Sequence, residues 1–250
     1  MSRNPFSAAG ARGSVIAALL LLACASCASS SMATSTAPTT ASARPDSAAA
    51  AHLADSLSTL PDSLRAKGAK EFPRPDSLLV PELRRGGYVL VFRHAQTDWG
   101  QRDADIQNFA DRSTQRNLSA AGDSTSVAIG KAISALKILI GRVLSSPMWR
   151  CRDTADLAFG RCDTTSVLFR RSKEDRAARS ALLSTPIADG KNLVLVTHQD
   201  VLIPIITGLR REQLKEGDAF VVKPLGGGKF DIVAQVTPKD WERFAAIAPK

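Results

Sequence analysis

Two short apolar runs, each ending in a histidine, set the pattern of this chain. Tyr88-Val89-Leu90-Val91-Phe92 gives way at once to Arg93-His94, and Leu193-Val194-Leu195-Val196 to Thr197-His198. Uninterrupted runs of this length, rich in β-branched residues, predict strands buried on both faces. The abrupt polar switch marks a carboxyl strand end, where open α/β sheets bind ligands. Between the runs, Val127, Ile129, Ile133, Leu136 and Ile140 fall near helical spacing, predicting a helix N-capped by Ser119 and reaching Leu139. Arg142 to Ser146 predicts a strand broken at Pro147, and Met148 to Phe159 a helix ended by Gly160. Ser166 to Phe169 reads as a third strand and Lys173 to Ser184 as a charged helix. Beyond His198, a helix is expected from Val201 to Leu209, with Pro204 in its first turn. Two closing strands, 219–222 and 230–233, flank the turn Gly226-Gly227-Gly228. This alternation predicts an α/β three-layer sandwich, with a mainly parallel central sheet and helices on both faces.

The first third of the chain has a different texture. Arg3 and Arg12 precede the apolar run Val15 to Leu22, which is far shorter than the ~20 residues of a spanning helix. Residues 1–27 therefore read as a signal peptide. Leu21-Leu22-Ala23-Cys24 resembles a bacterial lipobox, with Cys27 as a second candidate for lipidation. Residues 28–79 begin with a stretch of almost pure Ala, Ser, Thr and Pro, which buries too little apolar surface to offset its ordering entropy. They are expected to form a largely disordered tether, leaving residues 80–250 as the folded domain. The expected location is exported, in the periplasm or cell envelope, with the membrane reached through a lipid anchor.

Net charge of +9 among 250 residues points to anionic partners. The arginines are scattered and not interleaved with aromatics, so no nucleic-acid partner is expected. Of three histidines, His52 lies in the low-complexity region, which leaves His94 and His198. In a parallel sheet the ends carrying Arg93-His94, His198 and, after Ser145-Ser146-Pro147, Arg150 share one edge. Two imidazoles and two guanidinium groups repel unless an anion sits between them, and guanidinium forks match phosphate oxygens. Free amides at the start of the helix after Pro147 would add donors.

The motifs extend this reading. Arg93-His94-Ala95-Gln96-Thr97, Ser146-Pro147-Met148-Trp149-Arg150 to Ala155, Val196-Thr197-His198 and Asn117-Leu118-Ser119-x-x-Gly122 resemble, in order and spacing, four blocks of the histidine phosphatase superfamily, the phosphoglycerate-mutase-like proteins. The resemblance implies a phosphoric monoester hydrolase in which His94 attacks phosphorus and becomes a phosphohistidine. It implies that Arg93, Arg150 and His198 bind the phosphoryl oxygens, with Thr97 donating a further hydrogen bond. No cofactor or metal is expected, and the substrate would be a phosphorylated small molecule or macromolecule. The general acid is open: Asp200 is favoured because it follows the same strand end as His198, with Asp98, Glu174, Asp175 and Asp189 as alternatives. The short segment from Arg170 to Lys191 leaves little chain for a lid, which favours a phosphatase over a mutase.

Two other readings stand beside it. His94, Asp98, His198 and Asp200 could ligate a divalent metal in a metallohydrolase, although Arg93 and Arg150 would crowd that cation. A non-catalytic surface lipoprotein on the same scaffold is the other alternative. Cys151 and Cys162 are expected as free thiols, because a helix rising about 1.5 Å per residue would hold them beyond the ~7 Å Cα limit of a disulfide.

Overall fold

The computed structural model describes residues 70–248. The expected signal peptide and most of the expected tether lie outside these residues. The elements follow in chain order: α1 (Leu79–Arg85), β1 (Val89–Arg93), a 3-10 turn at Arg112–Thr114, α2 (Ala120–Ala135), β2 (Ile140–Ser145), α3 (Trp149–Phe159) and β3 (Asp163–Thr164). A second 3-10 turn (Ser166–Leu168) leads to α4 (Lys173–Ser184), β4 (Asn192–Thr197), α5 (Gln199–Leu202), β5 (Ala219–Gly226), β6 (Lys229–Val236) and α6 (Pro238–Ile247).

The six strands form one sheet in the order β3-β2-β4-β1-β5-β6. The first four are mutually parallel, while β5 runs antiparallel to β1 and β6 antiparallel to β5. Alternation along β1 explains the layers. Leu90 and Phe92 face a core made with Ile129 and Ile133 of α2, Leu136 just after it, Ala155 of α3, and Trp241 and Phe244 of α6. Val89 and Val91 face the opposite core, with Leu183 of α4, Leu195, Phe220 and Leu202. A strand covered on both sides needs apolar residues at every position, which is why its sequence shows a run and not an alternation. The chain is an α/β three-layer sandwich with helices on both faces, as the periodicity predicts.

Four local features differ from expectation, each for a physical reason. Helix α2 stops at Ala135, because the chain turns through Lys137 at φ 56 to bury Ile138 ahead of β2. Ser166 to Phe169 is not a strand. The Thr165 side chain accepts the Val167 amide and draws these residues into a 3-10 turn, leaving the two-residue β3 just before them. The helix expected from Val201 to Leu209 begins at Gln199 and is confined to α5, since Pro204 has no amide to continue it. Helix α6 lies beyond the last expected element and is started by a capping box between Thr237 and Asp240, with Pro238 in the first turn.

The packed chain also begins before Val80. Phe72 is buried against Phe220 at 4.7 Å between ring centroids, and the Pro73 carbonyl accepts the Gln235 amide of β6 at 2.8 Å. Residues 70–79, assigned by composition to the tether, are thus part of the fold.

Candidate active site

The site grows from the register of the parallel strands. Arg93 of β1 pairs with Thr197 of β4, so the next residues, His94 and His198, emerge side by side at the sheet edge. Their ring centroids are 5.3 Å apart at an interplanar angle of 61°. On the other flank Ser145 of β2 pairs with Val196, which brings the Ser146-Pro147 turn and the start of α3 to the same edge. The loop after His94 is pinned there: the Ala95 amide donates to the Thr154 hydroxyl of α3, and the Gly217 amide donates to the His94 carbonyl.

These elements enclose a cavity of about 250 Å³ lined by Arg93, His94, Arg116, Arg150, Arg171, His198, Gln199, Asp200, Ile203 and Arg211. Four residues expected to converge, His94, His198, Arg93 and Arg150, do so. Arg93 donates to the Leu214 carbonyl at 2.9 Å and the Gln199 side chain at 3.2 Å, and pairs with Glu216 at 3.4 Å. Arg150 is 7 % exposed and pairs with Asp103 at 3.0 Å.

Histidine chemistry follows from burial. His94 is buried, and its loss of hydration, reinforced by the charge of Arg150 and then Arg93, pushes its pKa down to about 3. The ring is therefore neutral at pH 7. Its Nδ1 lies 2.9 Å from the Ala95 carbonyl oxygen, which can only accept, so Nδ1 carries the proton and Nε2 keeps a bare lone pair. His198 is likewise held well below its ordinary value, first by burial, then by His94 and Arg150. Its Nε2 meets the Ser146 hydroxyl at 2.9 Å, and the Cys151 sulfur packs 3.4 Å from the same nitrogen. If that hydroxyl donates to Nε2, Nδ1 is the protonated nitrogen left for a ligand. Cys151 itself is buried, with its thiol pushed up to about 12 by desolvation, and both Cys151 and Cys162 are free.

Thr97 does not line this cavity. Its hydroxyl and amide both donate to Glu216, at 3.1 and 3.3 Å, so it positions the carboxylate that also holds Arg93. Two of the helix amides expected to be free after Pro147 are already used. The Trp149 amide donates to the Gln115 side chain and the Cys151 amide to the Met148 carbonyl. Among the acid candidates, Asp200 lines the cavity and is paired with Arg171. Asp98 accepts from Gly100 and Gln101 in a surface turn, and in the first turn of α4 Glu174 is exposed and Asp175 half-buried. Asp189 caps the turn entering β4, at the opposite end of that strand. Asp98 thus does not join His94, His198 and Asp200, and among the described residues no three His, Cys, Asp or Glu side chains are grouped to hold a metal.

Sequence reading missed the second tier of cations. Arg116, Arg171 and Arg211 reach the cavity from three separate loops, with no periodicity linking them. Segment 98–116, following β1, brings Arg116 to the lining, Asp103 to Arg150, and Phe109 edge-on to Phe169 at 5.3 Å. Phe169 in turn stands 6.2 Å from His198.

Comparison with known proteins places this geometry in context. Several solved structures are similar. The protein histidine phosphatase SixA in complex with tungstate has 17 % identity and a TM-score of 0.44, covering 61 % of this chain and 98 % of its own. SixA from Agrobacterium tumefaciens has 19 % identity and a TM-score of 0.42, covering 61 % and 99 %. A phosphoserine phosphatase variant from Entamoeba histolytica bound to phosphoserine has 12 % identity and a TM-score of 0.44, covering 61 % and 98 %. No curated protein matches the chain. The family model of the histidine phosphatase superfamily (branch 1) matches residues 89–176, from the first residue of β1 into α4 and across His94 and Arg150. Over residues 89–176, about a third of its length, the chain is similar to the histidine phosphatase superfamily (branch 1).

Proposed function

We propose that the protein hydrolyses phosphate monoesters through a phosphohistidine on His94. The observation that carries this reading is the tautomer of His94: a neutral ring, its Nδ1 proton held by the Ala95 carbonyl, with Nε2 bare in a cavity lined by guanidinium groups. In the first step Nε2 attacks phosphorus and the bond to the leaving oxygen breaks. That oxygen takes a proton from a general acid, for which Asp200 is placed in the lining. In the second step water attacks phosphorus and passes a proton to the carboxylate left by the first step, the P–N bond breaks and phosphate leaves. Arg93, Arg150 and His198 surround the position where charge gathers on the equatorial oxygens, and such preorganised donors stabilise a transition state most in a water-poor site. The substrate is a phosphorylated small molecule or an exposed phosphoryl group on a macromolecule.

Rapid quenching with a ³²P-labelled aryl phosphate tests the mechanism. Label is expected on His94 in an acid-labile, base-stable bond, and His94→Ala should remove both label and turnover. Steady hydrolysis without any trapped label, or full activity in His94→Ala, would refute it.

We also propose that the protein lies outside the cytoplasm on a lipid anchor at Cys24 or Cys27. Its support is the charged, apolar and cysteine order of residues 1–27. Among the described residues no helix is long and apolar enough to cross a membrane. Metabolic labelling with a radioactive fatty acid should mark the wild type and not the Cys24→Ser, Cys27→Ser double variant.

A further inference from the structure

Arg150 is the most confined cation of the cavity, and its contacts are lopsided. Nη1 donates to Asp103 Oδ1 at 3.0 Å and to the Arg116 carbonyl at 3.3 Å, while the buried Nε has no partner. The same Asp103 oxygen accepts the Arg116 amide at 2.9 Å. One carboxylate oxygen therefore ties together the residues that carry two of the cavity's guanidinium groups, one from α3 and one from the end of segment 98–116. The Nε of Arg116 is also buried and unpartnered, and its guanidinium stacks 3.9 Å from the Trp99 ring. Both residues line the cavity, so an oxyanion held there faces guanidinium groups whose placement runs through the one Asp103 carboxylate.

We propose that Asp103 is a positioning residue for oxyanion binding. It holds one corner of the Arg150 fork and so fixes how that guanidinium is presented to the cavity it lines. It also fixes the backbone from which Arg116 reaches the lining. Without Asp103, a guanidinium 7 % exposed loses its counter-charge and a directional contact. This inference rests on the phosphatase reading of the cavity, yet it concerns binding and is tested without turnover.

Calorimetric titration of the full chain with orthovanadate is the measurement. Asp103→Ala should weaken binding about tenfold, the scale of one lost charge-assisted hydrogen bond. Asp103→Asn keeps an acceptor at the same place and should recover most of that loss. In an Arg150→Met background, Asp103→Ala should have little further effect, because its action runs through Arg150. Urea unfolding of each variant verifies that the compared proteins are folded. Unchanged binding in folded Asp103→Ala would overturn the proposal. Tighter binding would also overturn it, making Asp103 a competitor for Arg150. Equal losses in the Ala and Asn variants would do the same, since geometry would then not matter. A wild type that binds vanadate and responds as expected but never hydrolyses an aryl phosphate would retain the role of Asp103 and remove the phosphatase reading.

Discussion

Replacing His94 by Gln should make the protein more resistant to acid relative to wild type, although the change removes the proposed nucleophile. In the unfolded chain a histidine takes up its proton near pH 6.5, whereas the buried ring of His94 resists protonation down to about pH 3. As pH falls through this window the unfolded state binds a proton that the folded state refuses, so stability is lost. The sign is that of a base with a depressed folded pKa: no penalty above about pH 6.5, and a growing one below it. Between about pH 7.5 and pH 4.5 the penalty from this one group reaches roughly 2 to 3 kcal/mol. His198 adds a penalty of the same sign, because its pKa is also lowered by burial and by His94. Urea unfolding of the full-length wild type and His94→Gln, in buffers free of phosphate, measures the effect. The stability difference should shift towards the variant by the stated amount on acidification. Parallel pH profiles would refute the assignment of a neutral, proton-resistant His94, and with it the basis for a bare Nε2.

Three further outcomes are expected. Gly130→Ala would place a Cβ 2.1 Å from the Ala158 carbonyl oxygen where α2 crosses α3, so despite the better helix propensity of Ala it should cost about 1–3 kcal/mol, read as a lower thermal midpoint. Thr237→Ala removes the cap of α6, whose Oγ1 accepts the Asp240 amide at 3.3 Å, and should cost about 1 kcal/mol in urea unfolding. On the proposed mechanism, EDTA should leave aryl phosphate hydrolysis unchanged while vanadate inhibits; loss of activity restored by zinc or manganese would count against it.

The parts of this architecture that a reader of the sequence could see share one property: they repeat or they break sharply. The buried strands appear as apolar runs, and the His94 and His198 positions appear as the places where those runs end. Helix α3 is visible between Pro147 and Gly160, the latter left-handed at φ 72. Features decided by tertiary contact were less visible. Nothing local distinguishes Arg116, Arg171 and Arg211 from other arginines, since the cavity they share is assembled from distant loops. Thr97 carries a motif position yet turns to Glu216, a residue 119 positions away. Residues 70–79 look polar and proline-rich, but Phe72 against Phe220 and the Pro73 carbonyl on the Gln235 amide seat them. Helix α6 went unread, although a capping box from Thr237 to Asp240 opens it and its buried Trp241 and Phe244 fall at helical spacing.

The seating of residues 70–79 bears on how this protein avoids sticking to itself. A sheet ends in two rows of unpaired backbone groups, and such rows recruit other chains. One border here is β3, only two residues long. The other is β6, which spans eight residues and would be a serviceable template for aggregation. The Pro73 carbonyl takes the Gln235 amide on that border, and Phe72 covers the adjacent Phe220. Cleavage or truncation near residue 80 would therefore do more than shorten a linker. It would uncover an adhesive seam, and a trimmed domain that precipitates while the longer form stays in solution would reveal this segment as an intramolecular chaperone of the sheet's far edge.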